Sequence, residues 1–250
     1  MDDLALDHDT LSAQLTEPTQ AAPLAGWHAR RALGFGASDV PVLLLALGLR
    51  SADATPRYII ERAAVTNRTA GAPRIIAEKA GRVAPLKAGA AAARGTERER
   101  ELLAAWRTML SRGVFYDESA ESLVLPDRLT HADAMLKSAW PLVDRACPHL
   151  TATLDAWGWD ALDAEVVVEL KCSASERRSL PWYWRDQTMA QLAVSGADYA
   201  LLVCGEHWSA WHGNDGPIRV WRVERDEDAI GEIRDAVERG WKRVEEIRCR

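Results

Sequence analysis

The four cysteines of this 250-residue chain, Cys147, Cys172, Cys204 and Cys249, are widely scattered and form no Cys-x-x-Cys pair. That spacing argues against a zinc or iron–sulfur site, and reduced thiols are the expectation. No apolar stretch reaches the ~20 residues that a spanning helix needs. The longest, Val40 to Leu49, is far too short. The N-terminus, MDDLALDHDT, is acidic and lacks the basic start of a signal peptide. A soluble cytoplasmic protein with no membrane partner is therefore expected. There is no Gly-rich Walker loop and no Gly-x-Ser-x-Gly elbow. His131, His149, His207 and His212 lack metal-ligand spacing such as His-x-x-x-His and read as structural or surface residues.

Positive charge is also absent where the chain begins. Residues 1–26 carry five acids (Asp2, Asp3, Asp7, Asp9 and Glu17) and no Lys or Arg. They also hold Pro18 and Pro23 and no periodic apolar face, so residues 1–26 read as a disordered acidic tail. The tail accounts for most of the net charge of −6, which leaves the body near neutral. Within that body, residues 50–100 hold eleven Lys/Arg against five Asp/Glu. A basic region inside a near-neutral body is compatible with phosphate contacts, although scattered arginines on helices more often face water.

Periodicity places the elements. Trp27 to Leu33 reads as a short helix, and Gly34 to Asp39 as a turn ending in a Ser/Asp helix start. Val40 to Leu49 follows as an apolar helix, with two further helices from Pro56 to about Ala64 and from Pro73 to Lys79. Residues 88–112 form a long helix with Leu102, Leu103, Trp106, Met109 and Leu110 on one face. Short strands are expected near Val114 to Tyr116 and Ser122 to Leu125, and residues 126–141 are ambiguous. Pro181 to Ser195 is a helix with Pro near its start and Gly196 at its end. Strands follow at Asp198 to Cys204 and Ile218 to Val223. The last helix runs from about Asp226 to Ile247, with Ile230, Ile233, Val237, Trp241 and Val244 as its apolar stripe. The pattern specifies an α/β domain over residues 27–250, with a mixed central β-sheet flanked by helices and a helical N-terminal portion.

The chemistry lies between residues 151 and 173. Glu165-Val-Val-Val-Glu-Leu-Lys-Cys reads as a strand, being short and rich in β-branched residues. Residues i and i+2 of a strand share a face, so Glu169 and Lys171 project together and Leu170 points the other way. Asp155 closes an earlier short strand, Leu150 to Leu154, and the Gly158-containing segment is expected to fold the two strands into a hairpin. Two carboxylates and an ammonium converging at a strand end suit a divalent metal, a water nucleophile and a phosphate. An isolated Glu-x-Lys pair is more often a solvated face; the carboxylate one hairpin upstream raises its weight.

Four ordered motifs give this stretch a context. They are Arg30-Arg31 with Gly36-Ala-Ser-Asp39, Arg94-Gly95-Thr-Glu-Arg-Glu99, Asp155 with Glu169-Leu170-Lys171, and Gln187 seven residues before Val194-Ser-Gly196. In that order they resemble the YqaJ-like viral recombinase family of lambda-exonuclease type, within the PD-(D/E)xK nuclease superfamily. The resemblance spans roughly residues 27–245. It implies a restriction-endonuclease-like core and Mg²⁺ (with Mn²⁺ as a substitute) bound by Glu99, Asp155, Glu169 and the Leu170 carbonyl. It makes Asp155, Glu169, Lys171 and Gln187 the catalytic set, with Gln191 one turn later as a weaker candidate. It places the 5′-phosphate of a DNA end on Arg31 and Ser38; from their spacing alone a helix N-cap and a surface arginine are the plainer reading, and within the whole pattern of motifs the phosphate reading takes precedence. Glu97 competes with Glu99, and Asp144 is a possible extra acid. Trp182, Tyr183 and Trp184 are core residues more readily than stacking platforms.

The implied activity is 5′-to-3′ exonucleolytic hydrolysis of linear duplex DNA in a bacterial host cell, leaving 3′ overhangs for a single-strand annealing recombinase. A homo-oligomer, a trimer by resemblance, is implied too. The pattern departs from the family at Leu154 and Ala156, where Pro-Asp-Gly is usual, and at Arg100, where Pro is usual. Another nuclease on the same core (an endonuclease, or a Cas4- or RecB-like enzyme) and an inactive DNA-binding module are the alternatives.

Overall fold

The computed structural model describes residues 33–65, 71–86, 98–99, 101–106, 108, 142–160, 164–207 and 217–250. The acidic tail, Arg31, Glu97, Arg100, the strands expected between residues 114 and 125, and the 126–141 segment lie outside the described residues.

Strand β1 (Phe35–Gly36) leads through a 3-10 turn (Ala37–Asp39) into helix α1 (Val40–Ala46). Helices α2 (Arg57–Ala63) and α3 (Arg74–Lys79) follow. Residues 98, 99, 101–106 and 108 are helical, within the long helix that the sequence indicates. Then come β2 (Leu142–Val143), β3 (Leu150–Ala152), β4 (Ala156–Trp159), β5 (Glu165–Cys172), α4 (Trp182–Ser195), β6 (Tyr199–Gly205), β7 (Ile218–Glu224) and α5 (Glu227–Arg248).

The strands form two sheets. A three-stranded sheet has the order β1-β3-β2, with β1 parallel and β2 antiparallel to β3. A four-stranded mixed sheet has the order β4-β5-β6-β7, in which only the central β5–β6 pair is parallel. The parallel crossover is α4, a right length for a βαβ unit. Pro181 sets its N-terminus, and Gly196, with φ of 78°, closes its C-terminus in the left-handed conformation that glycine adopts without a Cβ penalty.

One expectation is corrected. The partner of β5 is not Leu150 to Leu154 but β4, with Ala156 opposite Val168 and Trp159 opposite Glu165. Gly158 lies inside β4 rather than in the turn. The reversal comes after Asp160, whose backbone N–H donates to the Ala164 carbonyl and whose Oδ1 accepts from the Ala164 N–H, both at 3.0 Å. The chain thus leaves one sheet at β3 and enters the other at β4, and Asp155 sits at that step.

Both faces of the four-stranded sheet are covered. Val166, Val168 and Leu170 of β5 pack with Leu201, Val203 and the helical residues Leu102, Ala105 and Trp106. Val167, on the opposite face, joins a larger core with α1, α4 and α5. The alternation of β5 therefore decides which core each side chain enters. Helix α5 contributes Ile230, Ile233, Val237, Trp241 and Val244, all buried as its period requires. Its N-cap Asp226 accepts from the Ala229 N–H at 3.0 Å. Gly240 lets α5 approach α1 closely, since a Cβ there would come within 2.8 Å of Leu43 Cδ1. No helix among the described residues is long and apolar enough to cross a membrane.

Candidate active site

The site is built on the face of β5 that carries Glu169 and Lys171. Glu169 is buried, whereas Lys171 and Asp155 are partly exposed, so the group opens to solvent on one side. The β4–β5 register places Asp155, one residue before β4, across from Glu169. Asp155 Oδ2 accepts the Leu170 backbone N–H at 3.0 Å, which fixes the carboxylate at the edge of the strand pair.

Helix α4 closes the group from above. Tyr183, Gln187 and Gln191 are spaced by four and lie on one helical face. Gln187 Nε2 donates to Glu169 Oε1 at 2.6 Å, and Gln187 Oε1 accepts from Lys171 Nζ at 3.1 Å. Lys171 Nζ also donates to Glu169 Oε1, with which it forms an ion pair. Gln191 Nε2 donates to the other oxygen, Glu169 Oε2. The sequence ranks Gln191 below Gln187, and the structure puts both amides on the same carboxylate. The Gln191 side chain is fully buried and its Oε1 has no hydrogen-bond partner. That leaves a buried amide acceptor unmet on a side chain whose amide nitrogen holds Glu169.

Among the described residues, two carboxylates meet one ammonium at this site. Burial pushes the Asp155 carboxyl up to about 8, and the Glu169 charge pushes the same way. Lys171 and the Leu170 N–H oppose the rise, and Glu99 adds to it. Burial works against the Lys171 ammonium, but Glu169 and Asp155 outweigh it and hold the amine charged, above its usual range. Lys171 is therefore a charged ammonium paired with Glu169 at neutral pH. Burial and the Glu99 charge also push the Cys172 thiol up to about 11, so it stays protonated.

This donor set suits a hard cation. Carboxylate and carbonyl oxygens are what Mg²⁺ takes, and a divalent ion would neutralise the excess negative charge that Asp155 otherwise relieves by holding a proton. Among the described residues, however, no group of three or more His, Cys, Asp or Glu gathers closely enough to hold a metal. Glu99 is on the covering helix and interacts electrostatically with Asp155 and Cys172.

The remaining sequence candidates fall as follows. Ser38 is exposed on the 3-10 turn ahead of α1. Asp39, next to it, is buried and pairs with Arg62 and Lys79, each at 2.9 Å. Asp144 is remote from the site: it accepts from the Ala146 and Cys147 N–H groups and pairs with Arg234 at 2.9 Å. Tyr183 and Trp184 are buried in the core with edge-on ring packing. His149 stacks on Trp241, and His207 occupies a positive-φ position.

Neither family models nor curated proteins match this chain. Solved structures do. The crystal structure of an alkaline exonuclease, LHK-Exo, from Laribacter hongkongensis is similar with a TM-score of 0.54. At 18% identity, the match covers 89% of this chain and 94% of that one. The structure of LHK-Exo in complex with dAMP gives a TM-score of 0.55 over the same shares. The fold is thus a mixed α/β architecture shared with that exonuclease, and the likeness extends over most of both chains.

Proposed function

We propose that this chain is a metal-dependent deoxyribonuclease that hydrolyses the phosphodiester bonds of linear duplex DNA from 5′ ends, leaving 3′ single-stranded overhangs. One observation carries the proposal: Lys171 Nζ is held between Glu169 and Gln187 beside an Asp155 carboxyl pushed up to about 8. A fixed ammonium beside an excess of carboxylate is the electrostatic arrangement that a phosphate and a cation would complete together.

Asp155, Glu169 and the Leu170 carbonyl, with Glu99 from the covering helix, would hold Mg²⁺ or Mn²⁺. When bound, the ion supplies Lewis-acid polarisation of a phosphoryl oxygen and acidifies water. The protein's own groups do the rest. Lys171, kept protonated by its neighbours, orients the attacking water and offsets charge that develops on the phosphoryl oxygens. Gln187 bridges Glu169 and Lys171, so one side chain fixes the spacing between carboxylate and ammonium. Gln191 holds the second oxygen of Glu169, which leaves that carboxylate a single orientation.

The end preference rests on the sequence motif Arg31 and Ser38. A guanidinium binds phosphate bidentately, and the exposed Ser38 adjoins Asp39, whose buried carboxylate pairs with Arg62 and Lys79. A single-strand annealing protein as partner and a ring-shaped trimer around DNA belong to the same proposal, on the family resemblance.

Digestion of linear 5′-phosphorylated, linear 5′-hydroxyl and closed circular duplexes in Mg²⁺ tests it, with Lys171→Ala protein and an EDTA lane as controls. Loss of the linear phosphorylated DNA alone, absent from both controls, is expected. Cutting of circles would mean an endonuclease. Bound but uncut DNA would mean a binding module.

A further inference from the structure

The loop after β5 carries an arginine that the motifs leave out. The Ser173 N–H donates to the Gly205 carbonyl at 2.8 Å, so the β5–β6 pairing runs one residue past the end of β5. By alternation Ser173 lies on the face of Glu169 and Lys171, one strand step of about 6.6 Å beyond Lys171. Ser173 is buried, and its Oγ accepts from Arg177 Nε at 3.0 Å. The backbone N–H of Arg177 donates to Oε1 of the buried Glu206 at 2.7 Å. The Arg177 guanidinium lies over the ring of Trp184, 5.5 Å from its centroid. Trp184 is on α4 one turn before Gln187, whose Oε1 accepts from Lys171 Nζ at 3.1 Å. Arg177 thus contacts the next same-face residue of the strand after Lys171 and the next turn of the helix from Gln187.

The anchoring is one-sided. Nε is held and one face of the guanidinium is covered, while nothing among the described residues accepts from Nη1 or Nη2. The Glu206 carboxylate meets the Arg177 backbone, not its guanidinium, and pairs with Arg219 at 2.9 Å. A loop arginine commonly faces water, and one lying on a tryptophan is often packing alone. Here buried partners fix the stem and the face, and the half-buried side chain ends in two free donors beside the candidate site. Such a fork matches two oxygens of one phosphate, and little rotamer freedom is left to lose on binding. We propose that Arg177 grips the phosphate next to the scissile one on the cleaved strand. The inference rests on the nuclease reading above and adds to it a substrate-binding residue that reads backbone rather than bases.

The test is binding without turnover, in Ca²⁺ instead of Mg²⁺. Duplexes carry a single uncharged methylphosphonate at the first, second or third linkage of the 5′-ended strand, and affinity is read by fluorescence anisotropy. Arg177→Gln should bind the unmodified duplex about tenfold more weakly than wild type. At one linkage the methylphosphonate should cost wild type about tenfold and cost Arg177→Gln nothing further. The slope of log K against log[salt] should be shallower for Arg177→Gln by about 0.9. Arg177→Lys keeps the charge and loses the fork, so it should keep the salt slope and lose part of the affinity. Thermal unfolding checks each variant, and Arg177→Lys carries the test if Arg177→Gln does not fold. An Arg177→Gln protein that matches wild type in affinity, or loses as much as wild type at all three linkages, overturns the proposal. So does an Arg177→Lys protein as tight as wild type, which would deny the bidentate grip. If wild type digests DNA in Mg²⁺ and either overturning result is found, Arg177 is removed and the nuclease reading stands. Wild-type protein that neither binds nor digests removes both.

Discussion

Two clusters of buried charge in this fold are built from the same residue types and reach opposite balances. Around the 3-10 turn, the carboxylates of Asp39 and Glu78 face three cations: Arg62 at 2.9 and 3.0 Å, Lys79 at 2.9 Å from Asp39, and Arg74 at 2.9 Å from Glu78. Burial works against the Arg62 charge, and the two carboxylates more than restore it. Backbone donors complete the group, with the Gly36 N–H on Asp39 at 3.1 Å and the Leu86 N–H on Glu78 at 3.2 Å. Around β5, the carboxylates of Asp155 and Glu169 share one ammonium, and the charge of Glu99 adds to the imbalance. The first cluster is complete and joins the turn to α2 and α3. The second sets two carboxylates against one ammonium among the described residues, and Asp155 is pushed toward its protonated form, an arrangement that suits a site for a cation and a phosphate.

The contrast is sharpest where charge is removed and shape kept. Glu169→Gln preserves the outline of the side chain and abolishes its charge, so Mg²⁺-dependent hydrolysis should fall by about a thousandfold. The metal-free protein should stay folded with a somewhat lower melting midpoint, because Gln offers one acceptor oxygen to the three donors that Glu169 meets with two. Single-turnover digestion and a melting curve on the same preparation test both halves. A variant that loses activity only because it has unfolded would break the comparison.

Removing a charge from the complete cluster should do the reverse. Arg62→Ala leaves Asp39 and Glu78 partly unpaired in a buried setting, at a cost of about 3 kcal/mol. For a chain of this length the melting midpoint should drop by roughly 6–12 °C. A drop of under two degrees, read by circular dichroism at low salt, would mean that Lys79 and Arg74 suffice and that the cluster is less coupled than its geometry suggests.

How much of this was legible in the sequence depends on the distance between partners. Strand β5 and its facing pair Glu169 and Lys171 follow from alternation within eight residues, and helix α4 from Pro181, Gly196 and its period. Those elements lie where the sequence puts them. The hairpin was misread for a local reason. Leu150 to Trp159 reads as an apolar strand followed by a glycine-containing turn, and nothing in it marks a change of sheet between β3 and β4. Gly158 looks like a turn and serves as a strand residue, opposite Val166. The Asp39 cluster was not legible at all, because Arg62 and Lys79 reach it from other helices across a large sequence separation. The importance of Gln191 was half legible: its spacing from Gln187 shows a shared face, but only the tertiary structure shows both amides on one carboxylate.

That last point gives a smaller, graded prediction. Gln191→Leu removes the donor to Glu169 Oε2 without touching Lys171, and Glu169 is then held only through Oε1. Loss of a group that orients a metal-binding carboxylate commonly costs 10–100-fold. A fall of that size in cleavage rate, recovered in part by raising Mg²⁺, is expected. A Gln191→Leu protein as active as wild type at every Mg²⁺ concentration would return Gln191 to simple core packing.

The gentlest probe is one in which the site becomes more stable as it fails. In the folded protein the Asp155 carboxyl sits up at about 8, through burial and Glu169, while in the unfolded chain it returns to the ordinary carboxylate range of about 4. The native state therefore keeps a proton that the unfolded state releases between about pH 4 and pH 8. Over that window the metal-free protein loses stability as pH rises, because the unfolded state binds fewer protons. Asp155→Asn cannot ionise, and its side-chain oxygen can still accept the Leu170 N–H. It should melt together with wild type at about pH 4 and several degrees above it at pH 8 in EDTA. Adding Mg²⁺ at pH 8 should raise the wild-type midpoint, with proton release, and leave Asp155→Asn where it was. A pH-independent gap between the two proteins would show that the charge imbalance of this cluster is not what separates it from the one around Asp39.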